Sequence, residues 1–191
     1  MGRMCSFYRT FCVMFEVTTG GSVEDPSLFG KDQLIFSHNT YDWLGDGVYF
    51  WENDYDRALE FAKETKKKDP FVVGAIIYLG YCLDLTQRRN AQIIKESYNS
   101  LIDESVRKGT KNKKGERGET GDLPLRYLDC AVIRAIHKFN KEHGYKEYDS
   151  VKAAFWEGQE LYETAGFREK NHIQICMRNP KCILGYFLPK K

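Results

Sequence analysis

The sequence predicts a single α+β domain. Three observations carry that reading. Short apolar segments with strand-like composition alternate with stretches of helical spacing along the whole chain. No internal repeat is visible. The chain has 191 residues and a mass of 22.3 kDa, which suits one domain of ordinary size.

Taken in order, residues 11–17 (Phe-Cys-Val-Met-Phe-Glu-Val) read as a first strand. Thr18 to Lys31 carries Gly, Ser, Asp and Pro and reads as a loop. Residues 33–37 form a short apolar strand that ends at His38, and residues 47–51 form another. Asn53 or Asp54 caps a helix whose apolar stripe is Ala58, Leu59, Phe61 and Ala62. Residues 71–86, FVVGAIIYLGYCLDLT, read as the strongest buried strand, on β-branched and aromatic content. Residues 89–105 read as a helix. Residues 107–121 hold no large apolar residue and read as a solvated loop, and residues 127–141 return to helical spacing. Val151–Trp156, His172–Met177 and Ile183–Leu188 close the chain as strands, the last after a turn at Asn179-Pro180.

Composition narrows the classes. Apolar residues at 42% and charged residues at 29% argue against disorder and fibrous structure. The formal charge of +2, from 29 Lys and Arg against 27 Asp and Glu, leaves at most a local nucleic-acid patch. The Lys-rich stretches around Lys66 to Lys68 and Lys108 to Lys114 read as solvated surface. Six cysteines form no CxxC pair, and four histidines are not spaced as a zinc knuckle, so no metal is expected. The cysteines read as small buried hydrophobes in a reducing compartment. The first residues lack a clean signal-peptide core, and no segment has the length of a membrane span, so a cytoplasmic protein without a membrane partner is expected.

Chemistry concentrates in residues 35–62, IFSHNTYDWLGDGVYFWENDYDRALEFA. A strand delivers His38, Asn39 and Thr40. A glycine-flanked turn, Gly45-Asp46-Gly47, leads into Val48-Tyr49-Phe50, and a capped helix follows. Strand alternation places Tyr49 on the face opposite Val48 and Phe50.

This order resembles the diphtheria-toxin-like and poly(ADP-ribose)-polymerase-like ADP-ribosyltransferases. Their strand-end His-Gly-Ser/Thr corresponds here to His38-Asn39-Thr40. Their Gly-x-Gly-Ile/Val-Tyr-Phe corresponds to Gly45-Asp46-Gly47-Val48-Tyr49-Phe50. A long apolar strand with an internal glycine, 72–85, and a C-terminal strand containing Gln174 follow in the same order. The resemblance covers roughly 33–86 and 150–188, and it leaves 87–149 as a helical insertion.

The resemblance implies split antiparallel β-sheets forming an NAD cleft, with NAD as substrate. It implies mono-ADP-ribosyl transfer to a protein or nucleic-acid acceptor. NAD hydrolysis, or an inactive NAD- or ADP-ribose-binding relative, are the alternatives. An RNA 2′-phosphotransferase is disfavoured by the small net charge. Small domains of this class often act as toxins or defence effectors. Cofactor contacts would come from His38, Asn39, Thr40, Gly47, Tyr49 and Phe61. Tyr49 would stack on nicotinamide, with Phe61 on its second face, and the Asn39 backbone would hold the carboxamide. Catalysis would fall to Tyr49, Gln174 and Glu157, and target recognition to Tyr162, Phe167 and Arg168.

Two departures from the family pattern bear on activity. Asn39 stands at a glycine position. Gln174 stands where the family usually has glutamate, and a neutral amide accepts a hydrogen bond but stabilises a cation less than a carboxylate does. Glu157 is the nearest replacement acid. His172 falls either toward the same cleft or on ordinary surface.

Overall fold

The computed structural model describes residues 13–17, 36–64, 71–113 and 124–189. The expected loop at 18–31 and the start of the strand at 33–37 lie outside these residues, as do residues 114–121 of the expected loop at 107–121.

The elements in chain order are β1 (Val13–Val17), β2 (Val48–Trp51), α1 (Tyr55–Glu64), β3 (Phe71–Ile77), β4 (Cys82–Asp84), α2 (Arg88–Leu101), α3 (Glu104–Gly109), α4 (Tyr127–Glu142), β5 (Ser150–Phe155), β6 (His172–Met177) and β7 (Ile183–Phe187). A short 3-10 turn at Pro180–Cys182 precedes β7. The strands form two sheets, with orders β1-β3-β7 and β2-β6-β5-β4. This is the mixed α+β domain that the sequence predicts. Every strand pair is antiparallel except β4 with β5.

The apolar run at 71–86 is not one strand. It breaks after Ile77, and its halves join different sheets. Gly80 adopts φ +64° at the break, and a Cβ there would lie 2.7 Å from Cβ of Asp149. The Asp149 carboxylate accepts the Tyr81 N–H at 2.8 Å. A contact 68 residues away in sequence therefore ends the strand, which local composition does not report.

Parallel β4 and β5 need a crossover connection. The helical stretch within 87–149 is that crossover, and it covers one face of the four-stranded sheet. On α4 the buried residues Cys130, Ile133 and His137 repeat at helical spacing alongside Val132 and Ile136. Val132, Ile133 and Ile136 meet Leu83, Val151, Ala153, Phe155 and Cys176 from the sheet in one apolar cluster, which Tyr49 joins from its margin. The sheet's other face carries Val48, Phe50, Ile175 and Met177. These pack with Val73, Ala75, Ile77 and Ile183 of the three-stranded sheet. Alternation along β2 thus divides Tyr49 from Val48 and Phe50 as the sequence predicts. Helix α1 begins where expected. The Asp54 side chain caps it by accepting the Arg57 N–H at 2.9 Å, and Ala58 packs on Trp51 and Val72.

His137 is buried in the helix–sheet core, and neither ring nitrogen has a hydrogen-bond partner. Burial, reinforced by nearby Arg178, pushes its pKa down to about 3. The folded state therefore holds it neutral, whereas the unfolded chain takes up a proton near pH 6.5. Its contribution to stability is complete above that pH and is lost as pH falls toward 3. Going from pH 7 to pH 5 should remove about 2 kcal/mol through this residue. Urea unfolding at the two pH values checks this: His137→Leu should show a clearly flatter pH dependence than the native protein.

Candidate functional site

The first half of the site is a turn folded against β2. Ser37 and Gly47 form an isolated antiparallel bridge, with N–H to carbonyl distances of 2.8 and 3.1 Å. Gly47 lies so close to β6 that a Cβ would come 2.7 Å from the Met177 carbonyl oxygen and overlap the Cys176 sulfur. The turn between them is held from inside. The Tyr49 hydroxyl donates to the Gly45 carbonyl at 2.7 Å and accepts the Leu44 N–H at 2.9 Å. Burial pushes the phenol well above its ordinary pKa, so it stays protonated.

Arg134 of α4 holds the turn from outside. Its Nε and Nη2 reach Asp46 Oδ1 at 2.9 and 2.5 Å, and Nη2 also donates to the carbonyls of His38 at 2.8 Å and Asn39 at 3.2 Å. The Asn39 side chain donates to Ser37 Oγ. His38 is exposed, packs with its ring tilted against Phe36 and has Nδ1 3.8 Å from Asp46 Oδ1. Thr40 is exposed in the same turn. The structure therefore gathers His38, Asn39, Thr40, Gly47 and Tyr49. Phe61 belongs to a different cluster, packing on Trp51 with ring centroids 5.0 Å apart.

The second half lies farther along the Tyr49 face. Antiparallel register sets Tyr49 opposite Cys176 and Trp51 opposite Gln174. Phe155 is opposite His172 on the other side of β6. Residues 172, 174 and 176 share one face, so Gln174 and His172 extend the row that begins at Tyr49. Glu157 follows β5 by two residues. Its Oε2 accepts from Arg57 Nη2 at 2.8 Å and stands 3.7 Å from His172 Nδ1.

His172 Nδ1 lies 2.7 Å from the Lys170 carbonyl, which only accepts. The ring proton therefore sits on Nδ1, and Nε2 carries a lone pair. Burial lowers the His172 pKa against the opposing pull of the Lys170 carbonyl and Glu157, so the ring stays neutral. Trp43 stacks on this ring and packs edge-on against Phe155. The Arg126 guanidinium lies 4.4 Å over Trp43.

This region holds buried polar atoms without hydrogen-bond partners. They are Gln174 Oε1, His172 Nε2, Trp51 Nε1 and Arg57 Nε, while Arg57 Nη1 has only an ion pair with Glu60 at 3.4 Å. Gln174, His172 and Arg57 are each more than nine-tenths buried. An unpaired buried polar atom costs about 1–3 kcal/mol. Acceptors and donors together form a set that hydroxyl groups satisfy well, because each hydroxyl both donates and accepts.

The third group flanks this region. Glu160 and Arg168 bridge the ends of a loop, the Leu161 N–H donates to the Phe167 carbonyl, and Arg168 Nη1 donates to the Gly158 carbonyl. Tyr162 and Phe167 are exposed. Among the described residues no group of three or more His, Cys, Asp or Glu side chains could hold a metal ion, and no helix is long and apolar enough to cross a membrane.

Sequence reasoning missed Arg57 and Trp51 and left His172 undecided. Arg57 adjoins Ala58 at the start of the buried α1 stripe, an unusual place for a cation, and that was its available signal. Trp51 gains meaning only from the β2–β6 register.

Comparison with known proteins adds little to this geometry. The chain is 25% identical over 166 residues to an uncharacterized protein of Methanocaldococcus jannaschii, covering 79% of this chain and 75% of that protein. No family model matches the chain, and no solved structure gives a significant match.

Tyr49→Phe strips the Leu44 N–H and Gly45 carbonyl of their shared partner. The expected loss is about 2 kcal/mol in urea unfolding. Stability equal to the native protein would show that the hydroxyl does not hold the turn.

Proposed function

We propose that the protein cleaves the nicotinamide–ribose bond of NAD and transfers ADP-ribose to a macromolecular acceptor, a mono-ADP-ribosyl transfer. The observation that carries this reading is the unpaired, buried Gln174 Oε1 on the Tyr49 face, beside His172 Nε2 and the Arg57–Glu157 pair. A ribose diol matches that mixture of donors and acceptors.

Cleavage passes through a ribosyl cation, as in glycoside hydrolysis. In this reading Gln174 Oε1 accepts from the ribose 2′-OH, and the Glu157 carboxylate faces the developing positive charge. Arg57 fixes Glu157 in place. His38 and Thr40 meet the adenosine ribose at the exposed turn. Tyr49, packed under α4 and anchored by both hydrogen bonds of its hydroxyl, fixes the turn that carries His38 and Thr40.

A second reading has a specific observation behind it. Arg57 already neutralises Glu157, and Gln174 carries no charge, so stabilisation of a cation is weaker than two free carboxylates would give. That favours an NAD- or ADP-ribose-binding protein without turnover.

A mass balance with labelled NAD, purified protein and cell extract separates the readings. Transfer predicts label on macromolecules and a loss of at least about tenfold in Gln174→Ala and in Glu157→Gln, measured as initial rates. Label found only as free ADP-ribose identifies a hydrolase. Absence of nicotinamide release, with NAD still raising the melting temperature, identifies a binder. With neither release nor stabilisation, the NAD reading falls.

A further inference from the structure

A cleft of about 520 Å³ opens beside His172, between the end of β2, the end of β5 and the loop before β6. Trp156 and Phe167 line it and are 59% and 62% exposed. Leu161 and Tyr162, on the same loop as Phe167, are also more than half exposed. Four large apolar side chains in one twelve-residue stretch exceed what scattered surface hydrophobes explain, and such patches mark contact surfaces.

The carboxylates that line the cleft, those of Glu52 and Asp54, face no lining lysine or arginine among the described residues. Residues 52–64 hold five acids against two bases, and residues 152–171 hold four acids against three bases. These two segments together carry a formal charge of −4 in a chain whose total is +2. Lys152 pairs with Glu52, Arg57 with Glu157, and Lys170 with Glu60 and Glu64, all within these two segments, so Asp54 is the cleft-lining acid that has no ion pair among these. A phosphate backbone would meet repulsion here. A cation would meet the Asp54 carboxylate and the faces of two exposed rings, which is how arginine is held on protein surfaces.

We propose that this cleft docks an arginine-bearing segment of a partner protein, and, resting on the transfer reading above, that this segment belongs to the acceptor. The guanidinium stacks on Trp156 and Phe167 and pairs with Asp54. The acceptor is then a protein and not a nucleic acid. The cleft adjoins His172, whose Nδ1 stands 3.7 Å from Glu157, so a docked segment would lie next to the residues assigned to the ribosyl cation.

Fluorescence anisotropy tests this with two probes: a labelled twelve-residue Gly/Ser peptide carrying three arginines, and a labelled twelve-nucleotide oligothymidine. The peptide should bind, more weakly as salt rises, and the oligonucleotide should not. Trp156→Ala, Phe167→Ala and Asp54→Asn should each weaken peptide binding at least about fivefold. The aromatic residues are exposed and asparagine also caps helices, so these variants should keep the native melting temperature. Tyr145→Ala, which removes an exposed aromatic ring at a distant site, should leave peptide binding unchanged. Oligonucleotide binding without peptide binding, or peptide binding indifferent to the three substitutions, overturns the proposal. Nicotinamide release measured on the same preparation is independent of this outcome. Peptide binding without release removes the transfer reading and keeps the docking site, and release without peptide binding removes the docking site and keeps NAD cleavage.

Discussion

The antiparallel register of β2 against β6 is the constraint on which the rest depends. Gly47 permits it, because a side chain there would strike the Met177 carbonyl and the Cys176 sulfur. Once the strands are this close, alternation assigns every neighbour. Val48, Phe50, Ile175 and Met177 turn toward the second sheet, and Tyr49, Cys176, Trp51 and Gln174 fall on the other row. A slip of one residue would exchange the two sets and leave Gln174 in the apolar interface between sheets. The Tyr49 hydroxyl extends the same constraint to the preceding turn, fixing Leu44 and Gly45 and so the distance from β2 to His38.

Stability and chemistry are divided along this face. The Tyr49 hydroxyl is paired on both sides, and the packing there is closed by α4. Toward Gln174 and His172 polar atoms are unpaired, although buried. Folding alone has no use for such a group of atoms, since each costs more than an apolar replacement would. Buried atoms without hydrogen-bond partners also occur at His137, Arg126 and Arg178, but those of Gln174, His172, Trp51 and Arg57 gather in one region, and such a group is the expected mark of a site built for something other than stability.

Much of the fold was legible in the sequence. The strand at His172–Met177 has the bounds that its apolar pattern gives, and α4 is longer than predicted by one residue, because both obey local periodicity. The split at Gly80 was not legible, because Asp149 imposes it from far along the chain. Nor was the parallel pairing of β4 with β5, which turns the 87–149 stretch from an apparent insertion into a crossover that supplies five of the eleven buried residues of the helix–sheet cluster. For the site, spacing brought out His38, Asn39, Thr40, Gly47 and Tyr49, which are close in sequence and close in the fold. Arg57 and Trp51 escaped because their relation to Glu157 and Gln174 spans 100 and more residues and exists only through strand register.

That relation bears on why an amide stands at 174. Arg57 is the cation that reaches Glu157, at 2.8 Å, and it also lies 3.4 Å from Glu60. A second carboxylate at 174, more than nine-tenths buried, would add the cost of desolvating a further charge. The amide keeps an acceptor at the same place without that cost. Within the transfer reading, the charge then resides at Glu157 and the hydrogen-bond acceptor at Gln174, two functions that a single glutamate would combine. Dividing them leaves less charge at the ribose. It also leaves the acid next to the cleft, where it is close to whatever docks there.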